Sequence, residues 1–260
     1  MPDLYLQSER SAPSSCSKAI SVQMDSEQVK ARLGTQAVDS LVRSGMKLGL
    51  GTGSTAVHAV YRVGQLLKEG TLEQIVAVPT SFQTVVACQK AGISLTNLND
   101  PAVEGTLDLT IDGADEVDSE WRLIKGGGAA MMIEKVVAQA SGSYCILVNS
   151  SKLSNRLGEK APVPVEVIPE ALTGATRRLQ ALGGEVTLRM AAKKSGPVIS
   201  DHGNFVLDVG FSKPFDPAEL ERKISEIAGV TANGIFTLPV HDLFVGFPDG
   251  RVEHRRSKDV

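Results

Sequence analysis

The sequence predicts an α/β fold with a second, smaller α+β unit. Over about the first 160 residues, short apolar runs of strand length alternate with amphipathic helical patterns. The composition changes near Ala161, where the extended and proline-bounded segment P-V-P-V-E-V-I-P begins. The segments beyond it follow the order strand–helix–strand–strand–helix–strand, which is typical of a ferredoxin-like split βαβ unit. We therefore predict a main domain over residues 23–160 plus 233–260, with a small domain over 161–232 inserted before the C-terminal strands.

Length, charge and cysteine content narrow the class of protein. The chain has 260 residues, of which 42% are hydrophobic, enough for one large domain or two modest ones. A formal net charge of −3 argues against a general nucleic-acid binder, and no apolar run reaches the roughly 20 residues of a membrane span. Cys16, Cys88 and Cys145 are widely spaced without a C-x-x-C motif, which indicates reduced thiols. We expect a cytoplasmic protein without nucleic-acid or membrane partners.

The N-terminal leader and the first helix are separated by a capping residue. Residues 1–22 are polar, lack an apolar core of signal-peptide length and carry acidic residues that transit peptides avoid. We predict that this leader is disordered. A helix should begin at the cap Ser26 and end at Gly45. Its apolar side would be formed by Val29, Leu33, Ala37, Val38, Leu41 and Val42.

A glycine-rich turn follows the first predicted strand, Lys47–Leu50. The motif G-L-G-T-G-S-T-A leads into a helix that should continue to Leu67. A strand, a glycine-rich turn and a helix start together offer backbone N–H groups to a phosphate. The spacing matches neither the dinucleotide fingerprint nor the P-loop, whose lysine is missing. The motif favours a small phosphate monoester, with hydroxyl donors from Ser54 and Thr55, although a tight turn with a Ser/Thr cap is the structural alternative.

Further strands should bring polar residues to one edge of the main sheet. Predicted strands cover Ile75–Val78, Ile93–Leu95, Leu107–Ile111 and Tyr144–Val148. The last of these ends in N-S-S-K, which places Lys152 at that edge. A lone lysine there is also compatible with an ordinary solvated surface position.

The stretch that contains the candidate chemistry begins where the strand Leu107–Ile111 should end. The acidic sequence D-G-A-D-E-V-D-S-E starts at Asp112 and includes Asp115. Ligands of open α/β sheets bind at the carboxyl ends of strands. Lys125 is followed by three glycines, Gly126–Gly128, at the start of a predicted helix. Glu134 should lie about two turns into that helix.

Two alternatives remain open for this stretch. An acidic run is often a solvated face. Magnesium held by one or two carboxylates is also possible, whereas the spacing does not match a calcium loop. The four histidines have no metal-ligand spacing and are predicted to be structural or exposed.

The remaining elements belong to the small unit and the C-terminus. Predicted helices cover Glu170–Leu182 and Pro217–Ile227, and predicted strands cover Glu185–Met190 and Asn204–Val209. Strand-like segments over Gly234–Leu238 and Leu243–Val245 are expected to return to the main sheet. The polar tail from residue 251 onward is expected to be exposed.

Several of these motifs, in this order, resemble those of the type A ribose-5-phosphate isomerase family. The motifs are G-L-G-T-G-S-T-A, T-S-F-Q-T, D-G-A-D-E-V-D, K-G-G-G-A-A, E-K, S-K and P-V-E-V-I-P, and the match runs from about Ser26 to Gly250. The resemblance implies a mostly parallel, Rossmann-like sheet domain with a smaller α+β domain. It also implies a homodimer or homotetramer, and interconversion of ribose 5-phosphate and ribulose 5-phosphate in the non-oxidative pentose phosphate pathway. No cofactor or metal is expected.

The resemblance also implies roles for individual residues. Glu134 corresponds to the general base, and Asp112, Asp115 and Lys125 complete the catalytic set. The implied substrate-binding residues are Thr52, Gly53, Ser54, Thr55, Gly113, Ala114, Gly126, Gly127, Gly128, Lys152 and Lys30.

Aldose–ketose isomerisation suits these residue types. One carboxylate that reaches two neighbouring carbons can move a proton between them. Lys125 and the N–H groups of the glycine loop can stabilise the oxyanion of an enediolate. Asp112 or Asp115 could handle hydroxyl protons and ring opening, and the sequence does not separate their roles. Crowded carboxylates raise one another's pKa values, which helps a base to operate near neutral pH.

Two other classes of protein use related folds. A non-catalytic sugar-phosphate sensor would need a DNA-binding segment, but the leader is short and not basic. An acyl-transfer enzyme of the coenzyme A transferase type would use a glutamate nucleophile and need room for a long cofactor, for which the sequence shows no motif. An isomerase assay on ribose 5-phosphate separates the three possibilities.

Overall fold

The computed structural model describes residues 26–257, so the predicted leader and the last three residues lie outside the described part. The helices are α1 Ser26–Leu41, α2 Ala56–Lys68, α3 Phe82–Ala91, α4 Met131–Gln139, α5 Leu172–Ala181 and α6 Pro217–Ser225. The strands are β1 Lys47–Leu50, β2 Val76–Pro79, β3 Ser94–Leu95, β4 Leu107–Gly113, β5 Glu116–Val117, β6 Leu123–Ile124, β7 Ser141–Asn149, β8 Val163–Val167, β9 Glu185–Leu188, β10 Phe205–Gly210, β11 Val230–Asn233, β12 Ile235–Phe236, β13 Asp242–Gly246 and β14 Val252–Arg256.

The largest sheet has seven strands in the order β14-β13-β7-β4-β1-β2-β3. All neighbouring pairs are parallel except β13 with β14. The chain moves outward from β1 through β2 and β3, then returns to the other side of β1 with β4. The carboxyl ends of β1 and β4 therefore form the switch point at which open α/β sheets bind ligands. The predicted mostly parallel, Rossmann-like sheet is confirmed.

A second sheet has four antiparallel strands in the order β11-β8-β10-β9. With α5 between β8 and β9 and α6 between β10 and β11, this is the predicted ferredoxin-like arrangement. The two helices cover the sheet through buried side chains such as Leu179 and Ile224, which pack in one cluster with Val165 and Leu207. Strands β8 and β10 contribute Pro164 and Asp208 to a pocket that Gly127 and Lys152 also line.

The prediction that Gly234–Leu238 joins the main sheet is wrong. Strand β12 pairs with β6 in a three-stranded sheet, β12-β6-β5. Gly234 makes this possible, because its carbonyl accepts a hydrogen bond from Lys125 N at 2.9 Å. A Cβ at Gly234 would lie only 2.2 Å from the carbonyl oxygen of Lys125. The two-residue strands β5 and β6 inside the acidic stretch were not predicted, since so short a segment shows no periodicity.

Several element boundaries also differ from the predictions. Helix α4 begins at Met131, so Glu134 lies in its first turn rather than about two turns in. The tail predicted to be exposed is partly to fully exposed over residues 251–257. It also forms β14, a charged edge strand paired with β13 that was not predicted, and its charges suit an edge that must avoid further pairing. Helix α1 ends at Leu41, and Gly45 lies in the following turn with a φ of +82°. Strand β4 continues to Gly113, so Asp112 lies within the strand rather than after it.

The main core lies between the large sheet and helices α1 to α3. Leu33 and Val38 of α1 and Val60 of α2 are buried against Leu48 and Ile111 of the sheet. The thiols of Cys88 and Cys145 are buried and free, whereas Cys16 lies outside the described residues. Within residues 26–257, no helix is both long and apolar enough to cross a bilayer.

Candidate active site

A cavity of about 140 Å³ lies at the carboxyl ends of β1 and β4. Its walls come from the turn after β1, the loop after β4, the glycine loop before α4 and the segment after β7. The residues that line it are Thr52, Gly53, Ser54, Thr55, Gly113, Ala114, Asp115, Lys125, Gly126, Gly127, Gly128, Glu134 and Lys152. The structure thus brings together every predicted site residue except Asp112, which lies beneath the cavity floor, and Lys30.

Three buried charged side chains lie together at the base of the cavity, where Lys125 and Glu134 line it and Asp112 lies beneath them. The Nζ atom of Lys125 lies 3.0 Å from Asp112 Oδ2 and 3.2 Å from Glu134 Oε1. The same ammonium group donates a hydrogen bond to the carbonyl oxygen of Gly113. Two carboxylates thus share one cation away from water, which disfavours ionisation of both carboxyl groups at once.

The pKa values follow from this burial and crowding. Burial raises the pKa of Glu134 to about 8; the cation of Lys125 opposes the shift, and the charges of Asp112 and Asp115 add to it. Burial also raises the pKa of Asp112, although Lys125 and two backbone N–H groups counteract it. For Lys125, burial acts to lower the pKa, but the carboxylates of Asp112 and Glu134 outweigh it and raise the value. Glu134 is therefore the group able to exchange a proton near neutral pH.

The two oxygens of Glu134 have different surroundings. Oε1 faces the ammonium group of Lys125. Oε2 is buried and has no hydrogen-bond partner among residues 26–257. A buried carboxylate oxygen without a partner is costly, and here it belongs to a residue that lines a cavity.

Asp112 is fixed by the turn after β1. Its Oδ1 accepts hydrogen bonds from Thr52 N at 3.1 Å and from Gly113 N at 2.7 Å. A Cβ at Gly51 would lie 2.0 Å from that oxygen. The glycine at this position therefore admits the carboxylate of Asp112, in addition to shaping the turn.

Hydroxyl groups on the turn after β1 divide into two sets. Thr52 Oγ1 is engaged, at 2.7 Å, with both Thr80 Oγ1 and Ser81 Oγ of the T-S-F-Q-T motif. The hydroxyls of Ser54 and Thr55 have no hydrogen-bond partner in the described part of the chain. They lie just before α2, where the first N–H groups of a helix favour an anion.

The glycine loop before α4 is held against Asp115. Gly127 N donates to Asp115 Oδ2 at 2.7 Å, and a Cβ at Gly127 would come within 2.7 Å of the other carboxylate oxygen. Gly126 has a φ of +103°, a conformation that glycine adopts without strain. Lys152 lies at the cavity rim, exposed and with no ion pair or hydrogen bond to residues 26–257.

Within the acidic stretch, the carboxylate of Glu116 is already occupied by backbone hydrogen bonds. It accepts hydrogen bonds from the backbone N–H groups of residues 158–161, at 3.0 to 3.3 Å. Within the described residues, no three His, Cys, Asp or Glu side chains are placed to hold a metal ion together. The absence of a metal or cofactor requirement stays a prediction.

The structure does not bring Lys30 to the cavity. Its ammonium group pairs with Glu27 one turn earlier on α1, at 2.7 Å. Sequence reasoning also missed two residues next to the site. Tyr144 has a buried hydroxyl without a partner in the described chain, and burial raises its pKa well above the ordinary value. Arg189, from the small sheet, contacts the glycine loop. Neither belongs to a recognisable motif.

The chain is similar to known proteins of one family. The family profile "Ribose 5-phosphate isomerase A (phosphoriboisomerase A)" matches residues 76–250. The chain is 45% identical to ribose-5-phosphate isomerase A of Treponema denticola, over 88% of this chain and 99% of that protein. It is 50% identical to the Thermosynechococcus vestitus protein of the same name, over 88% and 96%.

Solved structures give the same result. Ribose 5-phosphate isomerase A from Methanocaldococcus jannaschii superposes with a TM-score of 0.83 at 40% identity, covering 90% of this chain and all of that one. A D-ribose-5-phosphate isomerase in complex with phospho-erythronic acid superposes with a TM-score of 0.85 at 37% identity and the same coverage. The chain therefore belongs to the ribose 5-phosphate isomerase A family of aldose–ketose isomerases.

Proposed function

We propose that this protein interconverts D-ribose 5-phosphate and D-ribulose 5-phosphate through an enediolate, with Glu134 as the group that moves the proton. The proposal rests on the surroundings and the pKa of Glu134. Its buried carboxyl group has one oxygen on Lys125, one oxygen without a partner, and a pKa raised to about 8. The relatives named for ribose 5-phosphate isomerisation support the choice of substrate.

The reaction moves one proton between neighbouring carbons. In the open-chain aldose, the proton on C2 passes to Glu134, and the electrons of the broken C–H bond form the C1–C2 double bond of the enediolate. The charge that develops on the C1 oxygen is stabilised by nearby donors. These are the Lys125 ammonium group and the Gly128 N–H, which has no partner within residues 26–257. Glu134 then returns the proton to C1, and the proton of the C2 hydroxyl passes to the C1 oxygen, so that C2 becomes the ketone and C1 carries a neutral hydroxyl group.

A carboxyl group with a pKa near 8 suits both halves of this transfer. An ordinary carboxylate is too weak a base to remove a proton from carbon efficiently near pH 7. Raising the pKa strengthens the base, and the protonated form is then a competent acid for the return step.

Asp112 and Asp115 have different supporting roles, which follow from their positions. Asp112 is fully buried and bonded to Lys125 and two backbone N–H groups, so it fixes the cation beside Glu134. Asp115 lines the cavity and accepts from Gly127 N through one oxygen only. Asp115 is therefore the carboxylate placed to exchange protons with sugar hydroxyls during ring opening.

The phosphate is assigned to the start of α2. Ser54 and Thr55 offer hydroxyls without partners in the described chain, and Lys152 adds a cation at the rim of the same cavity. Helix N-termini bind phosphates through free N–H groups and the helix dipole. The hydroxyl of Thr52 is held by Thr80 and Ser81, so Thr52 acts through its backbone, which positions Asp112.

The test is an isomerase assay on ribose 5-phosphate, run in ordinary and in deuterated water. We expect turnover, and we expect deuterium at the migrating position of the product, at least in part, because the carboxyl proton of Glu134 exchanges with solvent. A purified, folded protein without turnover contradicts the isomerase assignment. Turnover with no deuterium in the product, together with activity that is lost on chelation and restored only by added metal, contradicts the enediolate route and points to a hydride shift.

The pathway, the cytoplasmic location and the homodimer or homotetramer stay predictions. Treatment with a chelator followed by assay in metal-free buffer is expected to leave the activity unchanged. Activity restored only by an added metal would contradict the prediction that no metal is required.

A further inference from the structure

Arg189 joins the small antiparallel sheet to the glycine loop of the cavity. Its Nη1 atom donates to the carbonyl oxygen of Gly126 at 2.9 Å and to that of Gly127 at 3.1 Å. Asp208, on β10, holds the other side of the guanidinium group through Nε at 2.9 Å and Nη2 at 2.5 Å. This bidentate hydrogen bonding fixes the plane of the guanidinium group as well as its position.

The two carbonyl contacts determine where two N–H groups point. In a trans peptide the C=O and the following N–H lie on opposite sides of one rigid plane. Because Gly126 C=O is turned toward Arg189, Gly127 N–H points away from it and meets Asp115 Oδ2 at 2.7 Å. Because Gly127 C=O is also turned toward Arg189, Gly128 N–H points away from the arginine. That N–H has no partner within residues 26–257, and Gly128 lines the cavity.

Glycine peptides do not hold such orientations by themselves. Gly127 and Gly128 are exposed, and glycine has access to a wide range of backbone conformations. The Gly126–Gly127 peptide has further constraints, because the Gly126 carbonyl also accepts from Ala129 N at 2.9 Å and the Gly127 N–H donates to Asp115. The Gly127–Gly128 peptide has no other hydrogen bond within residues 26–257, so without Arg189 it could rotate and turn its N–H toward water. Arg189 is bonded to both carbonyls and anchored to a strand of the small sheet, so it supplies the missing constraint.

We infer that Arg189, anchored by Asp208, is a positioning residue for isomerisation. It directs the Gly128 N–H at the oxyanion of the enediolate and sets Asp115 through the Gly127 N–H. The inference rests on the proposed function. Donors that are fixed in advance stabilise the developing charge of a transition state more than they stabilise the bound substrate. Loss of Arg189 should therefore lower kcat more than it changes KM.

The test compares Arg189→Ala with Arg189→Lys and with a matched control, Arg62→Ala. Arg62 makes a similar partly exposed pair with Asp39, at 2.7 Å, between helices α2 and α1, and does not line the cavity. Removing one oxyanion donor costs about 10²–10³ in kcat. Since Arg189→Ala loosens the donor rather than deleting it, we expect kcat to fall by about 10- to 100-fold, with KM changed less than about threefold. Arg189→Lys retains a cationic donor without the fork and should restore part of the loss. Arg62→Ala should retain the wild-type kcat.

The strength of inhibition by phospho-erythronic acid distinguishes a loss of oxyanion positioning from a general structural defect. The carboxylate of the acid carries negative charge on oxygens at the end away from the phosphate, as an enediolate does, whereas the C1 aldehyde and C2 hydroxyl of open-chain ribose 5-phosphate are neutral. We expect Arg189→Ala to weaken inhibition by this acid by about the same factor as it lowers kcat, while KM stays near the wild-type value. Arg62→Ala should leave the inhibition unchanged.

The outcomes separate this inference from the proposed function. Wild-type protein that does not isomerise ribose 5-phosphate overturns both. An active wild type, combined with Arg189 variants that retain the kcat and inhibitor affinity of Arg62→Ala, overturns the role of Arg189 alone. If Arg189→Ala does not fold, Arg189→Lys and Asp208→Asn decide the question, because each leaves a hydrogen-bonding side chain in place. A wild-type kcat in both would overturn the inference.

Discussion

Two glycine-rich segments face each other across the cavity, and each one leads into a helix. The first, Gly49–Gly53, begins within β1 and leads to α2, and the second, Gly126–Gly128, precedes α4. In sequence they predict the same thing, a backbone that comes close to an anion. In the structure, the first presents free hydroxyls from Ser54 and Thr55. The second adjoins buried charges and has its peptide groups tied to neighbouring side chains.

The difference shows that a glycine run predicts close approach without identifying the partner. At Gly51 the partner is a carboxylate of the protein itself, Asp112. At Gly127 the partner is Asp115. Changes near the first segment should therefore affect phosphate binding or packing, whereas changes near the second should affect proton transfer. The following predictions test that division, from the largest expected effect to the smallest.

Glu134→Gln should cause the largest loss. The substitution retains the shape of the side chain but removes its ability to take a proton, so we expect kcat to fall by about 10²–10⁴-fold. Glu221→Gln is a matched control, because Glu221 also pairs with a lysine, Lys135, but does not line the cavity. The measurement is kcat for ribose 5-phosphate with the folded state checked by circular dichroism. Near-normal turnover of folded Glu134→Gln would remove Glu134 from its proposed role.

The double substitution Ser54→Ala with Thr55→Ala should act mainly on binding. A hydrogen bond to a charged group contributes about 1.5–3 kcal/mol, so losing two of them should lower kcat/KM by at least about 100-fold, chiefly through KM. Free ribose has no phosphate, and its low kcat/KM should not change in the variant. An unchanged KM for ribose 5-phosphate would contradict phosphate binding at the start of α2.

Gly51→Ala should destabilise the protein because it crowds a buried carboxylate. The added Cβ would lie 2.0 Å from Asp112 Oδ1, and overpacking of this kind costs roughly 1–3 kcal/mol. Gly174→Ala on α5 is the matched control, since a Cβ there meets no atom within 4 Å and alanine favours a helix. Urea unfolding of both variants measures the free energy of unfolding. Equal stability of Gly51→Ala and the wild type would show that the turn can shift away from Asp112.

The sequence predicted the cavity because its residues lie at places with clear local signals. Asp112, Ser54 and Lys152 follow predicted strands, and parallel strands bring their carboxyl ends to one edge. Arg189 could not be found in this way, because it contacts Gly126 from 63 residues away in the chain. Strand β14 was missed for a related reason. Its charged residues resemble a solvated tail, and only pairing with β13 makes them a strand.

The pH dependence of kcat/KM should distinguish the roles of the two glycine-rich segments. A change of pH is also the mildest of these perturbations. Since the pKa of Glu134 is raised to about 8, kcat/KM should fall roughly tenfold per pH unit below that value, because the base becomes protonated. The residual activity of Glu134→Gln should lose this acidic limb. Ser54→Ala with Thr55→Ala should retain it, because the phosphate site lies on the other segment. An acidic limb that is unchanged in Glu134→Gln would assign the titration to another group.

The same shift makes a second prediction, about stability. A carboxyl group whose pKa is higher in the folded than in the unfolded state binds more protons when folded, over the range from its ordinary value of 4.5 to about 8. Its stabilising contribution is therefore complete below pH 4.5 and is lost as the pH rises through 8. Glutamine cannot ionise, so Glu134→Gln should gain free energy of unfolding relative to the wild type as the pH rises from 5 to about 9. Urea unfolding at several pH values measures this difference. A constant difference across that range would mean that Glu134 does not titrate there, and the proposed origin of its basicity would be wrong.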